Sequence, residues 1–111
     1  MNSTIDHIAM LANDLEEASQ WYVSLLGAVI THKQPNYYRL KLENTNIALL
    51  DSTFKSSKPH IAILCEKLSD LPEEGERVQH RDGTTGVYVE DPYGNYIEFI
   101  HYDEKCKNIL K

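Results

Sequence analysis

Two segments of the chain share one pattern of hydrophobic and polar residues. The first reads His-Ile-Ala-Met-Leu at residues 7–11, and the second reads His-Ile-Ala-Ile-Leu at residues 60–64. Each is followed, later in its half of the chain, by a second apolar segment, Asn46–Leu50 in the first half and residues 96–100 in the second. A repeat at about half the length of the chain predicts two similar modules that pack together to bury an apolar face.

The first half is predicted to form a strand, one helix and three further strands. After a strand over Ile5–Leu11, apolar residues recur at helical spacing, and they predict a helix at about residues 13–26 with Leu15, Ala18, Tyr22, Leu25 and Leu26 on its apolar face. Asn13 or Asp14 is predicted to cap this helix, Gly27 to end it, and Trp21 to anchor it on the sheet. The three strands are predicted at residues 28–33, 37–42 and 46–50. In the middle one, alternation predicts a buried face with Tyr38, Leu40 and Leu42 and a solvent-exposed face with Tyr37, Arg39 and Lys41.

The second half is predicted to repeat this order with a weaker helix. Residues 60–65 are predicted to form its first strand, and Pro72 limits the helix at 67–74 to a turn or two. Further strands are predicted at 78–80, 86–90 and 95–102, with a tight turn at 91–94 before the last one. The predicted fold class is therefore α+β, a single domain over residues 1–111 with two β-α-β-β-β modules at about 1–51 and 59–103.

Composition excludes several classes of partner. The net charge of −6 comes without a cluster of basic residues, which argues against nucleic acid and against an anionic membrane surface. The longest apolar runs are strand-sized, too short to cross a bilayer, and the first residues lack the pattern of a signal peptide. The two cysteines are isolated from each other in the sequence, which is typical of a reducing compartment, so we expect a cytoplasmic protein.

The repeat also distributes residues that bind metals. His7 and His60 open the two modules at equivalent positions, and Glu98 lies in the closing strand of the second. Two imidazoles and a carboxylate are a common ligand set for a divalent metal, and a carboxylate between Ile97 and Phe99 would be costly to bury unpaired. We therefore predict that these three residues bind a metal. The remaining histidines, which lack this support, are predicted to lie at the surface or rim: His32, His80 and His101.

The most specific segment of the chain is Glu-Asp-Pro-Tyr-Gly-Asn-Tyr-Ile-Glu at residues 90–98, and the next is Asp-His-Ile-Ala at residues 6–9. With the β-α-β-β-β repeat, these motifs make the chain resemble the vicinal oxygen chelate superfamily, which includes glyoxalase I, bleomycin-resistance proteins, fosfomycin-resistance enzymes and extradiol dioxygenases. The resemblance implies the glyoxalase/bleomycin-resistance/dihydroxybiphenyl dioxygenase-like fold, in which two modules form a cup around a metal. It also implies four ligand positions, which fall here on His7, Ala48, His60 and Glu98.

Ala48 is the main departure from the resemblance. Glyoxalase I-type isomerases have a carboxylate there that binds metal and takes part in proton transfer, and alanine can do neither. The resemblance then implies a three-ligand site with open positions, holding one divalent ion such as Mn, Fe, Ni, Co or Zn. Weaker candidates for binding substrate are Tyr88, Arg81 and Thr85.

Two classes of function follow from this resemblance. The favoured one is a metal-dependent enzyme, a lyase, transferase or dioxygenase, that activates a small molecule with vicinal oxygens by Lewis-acid chemistry. The alternatives are a metal-independent drug- or metabolite-binding protein of the bleomycin-resistance kind and a fosfomycin-type thiol transferase. The resemblance further implies a homodimer with shared sites, in which His7 comes from one subunit and His60 and Glu98 come from the other.

Overall fold

The computed structural model describes residues 3–53, 58–80 and 83–103. Within them the chain forms one α-helix and eight strands, in the predicted order of strand, helix and three strands followed by a second, nearly helix-free copy. The elements are β1 (Ile5–Leu11), α1 (Leu15–Leu26), β2 (Val29–Gln34), β3 (Tyr37–Lys41), β4 (Asn46–Leu50), β5 (His60–Leu64), β6 (Glu76–Gln79), β7 (Thr85–Glu90) and β8 (Tyr96–His101). Parallel and antiparallel pairing both occur, so the predicted α+β class with a mixed sheet is confirmed.

The chain divides into two compact units, which we call the first unit (His7–His60) and the second unit (Met1–Asp6 with Ile61–Lys111). In the first unit the strands lie in the order β2-β3-β4-β1. Strand β1 pairs with β4 in parallel, whereas β3 pairs with both β4 and β2 antiparallel. The register aligns Ala9 with Ala48 and Ala48 with Arg39, so these three residues form one row across β1, β4 and β3.

Helix α1 begins and ends where the sequence predicts. The side chain of Asp14 accepts a hydrogen bond of 2.9 Å from the backbone N–H of Glu17, which satisfies one of the free N–H groups of the first turn. Gly27 ends the helix with a φ of 68°, a left-handed conformation that a glycine adopts without strain. Leu15, Ala18 and Tyr22 pack on a core that includes Leu40 and Leu49 of the sheet.

The prediction that Trp21 anchors the helix is wrong. Its side chain is 58% exposed, and its ring packs edge-on against Tyr22, which faces the core in its place. Leu25 and Leu26, predicted for the same apolar face, are also exposed. Successive helical residues are about 100° apart, so a stripe set by Leu15, Ala18 and Tyr22 leaves Trp21 at its edge.

The second unit contains the strand order β5-β8-β7-β6. Its two faces bury separate clusters, Ala62 with Ile100 and Tyr102 on one side and Cys65, Leu71 and Val87 on the other. The predicted second helix is reduced to one 3-10 turn at Leu68–Asp70, because Pro72 follows at once and offers no backbone N–H to continue a helix. The predicted turn before β8 forms around Asp91, whose carboxylate accepts hydrogen bonds of 2.8 Å from the N–H groups of Tyr93 and Asn95.

Among the described residues, no helix is both long enough and apolar enough to span a membrane.

The cap of α1 gives a test of the fold. Replacing Asp14 by Ala should lower the free energy of unfolding by about 1 kcal/mol, because the N–H of Glu17 loses its acceptor. Urea denaturation followed by circular dichroism measures this change. The matched control is Asn13→Ala, at the exposed neighbour that does not cap the helix, and an equal loss in both variants would contradict the assignment of the cap.

Candidate metal centre

The first unit brings two of the predicted metal ligands together. His7, in the middle of β1, and His60, the first residue of β5, are each only 7% exposed. Their ring centroids lie 5.8 Å apart with the ring planes at 71°. The two imidazoles therefore lie side by side within one chain, whereas the resemblance implies that they come from different subunits.

A backbone carbonyl orients the ring of His60. Its Nδ1 lies 2.6 Å from the carbonyl oxygen of Lys58. Because a carbonyl oxygen can only accept, Nδ1 carries the proton and donates it, which leaves the lone pair of a neutral ring on Nε2. This is the tautomer that metal-binding histidines adopt when their second nitrogen is held by a carbonyl group.

The row of Ala9, Ala48 and Arg39 lies on the same sheet face as His7. Side chains alternate along a strand, so His7 and Ala9 share a face of β1, and the register carries that face through Ala48 to Arg39. The prediction that Arg39 faces solvent is wrong, since it is only 7% exposed. Period-two alternation predicts which residues share a face but not whether that face is buried. Both faces of β3 are covered, since Arg39 is buried on one and Leu40 on the other.

The positive charge of Arg39 affects the pKa of a neighbouring side chain. His32 is the partner of Arg39 in the pairing of β2 with β3. Burial lowers the pKa of His32 and the positive charge of Arg39 lowers it further, since both disfavour the imidazolium form. The guanidinium thus adds a buried positive charge to this face of the first unit.

The third predicted ligand, Glu98, lies in the second unit and is 1% exposed. Its Oε2 lies 2.8 Å from Nε2 of His80. The prediction that His80 is a surface or rim residue is therefore wrong, because most of its side chain is covered and its ring contacts the buried carboxylate. A carboxylate without such a partner would be costly to bury.

Two residues of β7 frame this contact. Tyr88 is the cross-strand partner of Glu98, and its ring lies edge-on to that of His80 with centroids 6.3 Å apart. Gly86 lies on the same face of β7, where a Cβ atom would collide with Oε2 of Glu98 and come within 2.9 Å of Nε2 of His80. The absence of a side chain at Gly86 is what allows these two groups to meet.

The remaining candidates lie away from this contact. Thr85 is on the face of β7 opposite Tyr88, and its hydroxyl donates to the side-chain oxygen of Gln79 at 3.0 Å. His101 lies on the face of β8 opposite Glu98, where its Nδ1 contacts the carbonyl oxygen of Cys65 at 3.0 Å. Arg81 lies outside the described residues.

Sequence reasoning missed the burial of Arg39 in the first unit and the contact between His80 and Glu98 beside Gly86 in the second. Gly86 left a recognisable signal, because a glycine inside a strand often marks a close approach by another group. His80 left none, since its contact with Glu98 joins residues eighteen positions apart.

Comparison with known proteins agrees with this architecture. The family model of the Glyoxalase/Bleomycin resistance protein/Dioxygenase superfamily matches residues 4–99. The chain belongs to this superfamily. No curated protein matches the sequence at a significant level.

Several solved structures have a similar fold. A hypothetical protein from Bacillus halodurans C-125 superposes with a TM-score of 0.73 at 17% identity, over 94% of this chain and 97% of that one. Methylmalonyl-CoA epimerase from Mycobacterium tuberculosis also gives 0.73, at 19% identity over 95% and 91%. The Streptomyces coelicolor methylmalonyl-CoA epimerase in complex with 2-nitronate-propionyl-CoA gives 0.67, at 19% identity over 90% and 98%. At these identities the likeness shows the fold alone.

Within the superfamily, the donor chemistry of this chain fits a metal ion. His7 and His60 of the first unit and Glu98 of the second are side chains of the types that bind divalent metals. All three are buried.

Proposed function

We propose that this protein is a metal-dependent enzyme that acts on a small molecule with vicinal oxygens, with His7, His60 and Glu98 as the ligands of one divalent ion. The observation that carries the proposal is the buried pair of imidazoles, in which the carbonyl of Lys58 accepts a hydrogen bond from Nδ1 of His60 and so orients its ring. The buried carboxylate of Glu98 supplies the negative charge that such a ligand set needs.

Nitrogen and oxygen donors of this kind suit Mn, Fe, Ni, Co or Zn. When bound, the ion would supply Lewis-acid polarisation of a substrate oxygen. Ala48 adds no fourth donor on the face that carries His7, so the chain leaves coordination positions for substrate oxygens. The same absence of a carboxylate argues against isomerisation of the glyoxalase I type.

The ligand set is tested by changing its one anionic member. Glu98→Gln should weaken binding of Mn²⁺ or Co²⁺ at least tenfold, since an anionic donor is replaced by a neutral amide of the same shape. Isothermal titration of untagged protein measures the affinity, and elemental analysis measures the metal retained on purification.

The matched control is Glu90→Gln, which changes an exposed carboxylate of the same unit. Equal metal affinity in Glu98→Gln and the wild type would contradict the ligand assignment. Wild-type protein that binds no divalent metal but still binds a small molecule would favour the metal-independent, bleomycin-resistance-like function.

Arg39 suggests that the substrate carries negative charge. Neighbouring strands are about 4.8 Å apart, so Cα of Arg39, two strands from Ala9, lies about 10 Å from it. A long side chain on this shared face can reach a ligand held at His7. The other two residues of the row, Ala9 and Ala48, have the shortest side chains besides glycine, so they leave room on this face for a ligand. We therefore propose an organic anion with adjacent oxygens, such as a carboxylate beside a carbonyl or hydroxyl group.

Support for a small-molecule substrate also comes from the fold. A methylmalonyl-CoA epimerase of this fold has been solved with methylmalonyl-CoA bound, at 17% identity to this chain.

Charge selectivity can be measured with two chelating probes on the metal-loaded protein. Arg39→Gln should weaken binding of oxalate, a dianion with vicinal oxygens, about tenfold or more, because a hydrogen bond to a charged group contributes about 1.5–3 kcal/mol. Binding of acetohydroxamic acid should change by less than about threefold, since both of its oxygens would be held by the metal and its methyl group offers Arg39 no acceptor.

Lys41→Gln is the control for Arg39, since Lys41 lies two residues further along the same strand face but is exposed. An equal effect of Arg39→Gln on both probes, or an equal effect of the two variants on oxalate, would contradict the role of Arg39.

We also propose that the protein is a homodimer in which both histidines of each site come from one chain. Apolar side chains that a monomer would leave in water support the dimer, in particular Trp21, Leu25 and Val29. The approach of the two imidazoles within one chain supports the second part. The expected location in the cytoplasm stays a prediction that rests on the isolated cysteines.

Subunit mixing tests this arrangement. Sedimentation equilibrium should give a dimer, and a mixture of His7→Ala and His60→Ala chains, exchanged through mild denaturant, should recover no metal binding because no chain holds both histidines. Recovery of about a quarter of the wild-type sites would show that the histidines are shared between subunits, because half of the dimers would be mixed and each would hold one intact site. A monomeric mass would contradict the dimer.

A further inference from the structure

The contact between His80 and Glu98 has geometry that a metal ligand requires. Nε2 of His80 lies 2.8 Å from Oε2 of Glu98, within the second unit. An ionised carboxylate only accepts hydrogen bonds, so Nε2 carries the proton and donates it to Oε2. The imidazole thereby restrains the position and orientation of the carboxylate.

The backbone is shaped to permit this contact. Gly86 pairs with Ile100 on β8 and with Val78 on β6, so it lies between the strand of Glu98 and the strand that leads to His80. A Cβ atom at Gly86 would overlap the carboxylate and crowd the imidazole. Gly86 does not have a positive φ, so the backbone conformation does not require a glycine at this position. The contact between His80 and Glu98 does require one, because a side chain would occupy the same space.

The ring of His80 is held from a second side. Tyr88 lies edge-on to it at 6.3 Å between centroids, and Tyr88 is also the cross-strand partner of Glu98. Two strands and one aromatic ring thus define where the imidazole can lie.

We infer that His80 is a positioning residue that orients Glu98 as a metal ligand, and that Gly86 provides the space for this contact. The inference rests on the proposed metal site. Hydrogen-bonded partners of metal ligands orient them, and their loss typically weakens metal affinity about 10- to 100-fold.

Replacements of His80 that differ in the reach of their N–H group test this role. In His80→Gln, the side-chain amide nitrogen lies near the position of Nε2 and can still donate to Oε2. In His80→Asn, the side chain is shorter, and its amide nitrogen lies near the position of Nδ1, too far from Oε2 to donate. His80→Phe keeps a ring but has no donor. Affinity for Co²⁺ is measured by titration, and the visible absorption of the bound Co²⁺ reports on its coordination.

We expect His80→Phe and His80→Asn to bind Co²⁺ about 10- to 100-fold more weakly, with an altered absorption spectrum, and His80→Gln to remain within about threefold of wild type. Gly86→Ala should weaken binding in the same direction as His80→Phe. His101→Phe, which changes a half-buried histidine on the opposite face of β8, should bind as wild type does. Thermal unfolding of each metal-free variant verifies that the fold is retained.

Wild-type affinity in His80→Phe, or an equal loss in His80→Gln and His80→Phe, would overturn the inference and leave the proposed metal site standing. Failure of the wild-type protein to bind Co²⁺ would overturn the proposed function and this inference together.

Discussion

The burial of a carboxylate inside an apolar strand is the constraint on which the candidate centre depends. Glu98 lies between Ile97 and Phe99 and is almost fully removed from solvent, although an unpaired charge there would cost several kcal/mol. The imidazole of His80 offsets this cost by a hydrogen bond to the carboxylate. The contact in turn requires that Gly86 has no side chain, so one buried charge determines the residue types at two other positions of the same unit.

The buried histidines of the first unit also need hydrogen-bond partners. A buried imidazole needs partners for both nitrogens, and the carbonyl of Lys58 engages one of those of His60. This hydrogen bond selects the tautomer with the proton on Nδ1. In the proposed metal site, the same hydrogen bond would orient the ring as a ligand.

Short side chains are as important as the polar ones. The family resemblance puts Ala48 at the position of the carboxylate of glyoxalase I-type isomerases, and Ala48 pairs with Ala9 on one side and Arg39 on the other. The face therefore carries two short side chains and a buried guanidinium. In the proposed function, the substrate would place an anionic group near this guanidinium.

The sequence alone determined the elements and their order. The periodicity of apolar residues, the cap at Asp14 and the glycine at position 27 are local signals, because they depend on neighbours within a few residues, and they predicted α1 to within two residues at its start. Pro72 likewise predicted the shortening of the second helix. The internal repeat and the motif at residues 90–98 identified the family and suggested candidate metal ligands. Tertiary structure decided which side chains are covered and what they contact: Trp21 is exposed, Arg39 is buried, and His80 meets Glu98. A pattern of residues tells which side chains share a face, but what covers that face is set by strands that lie far apart in the chain, and only the folded structure brings them together.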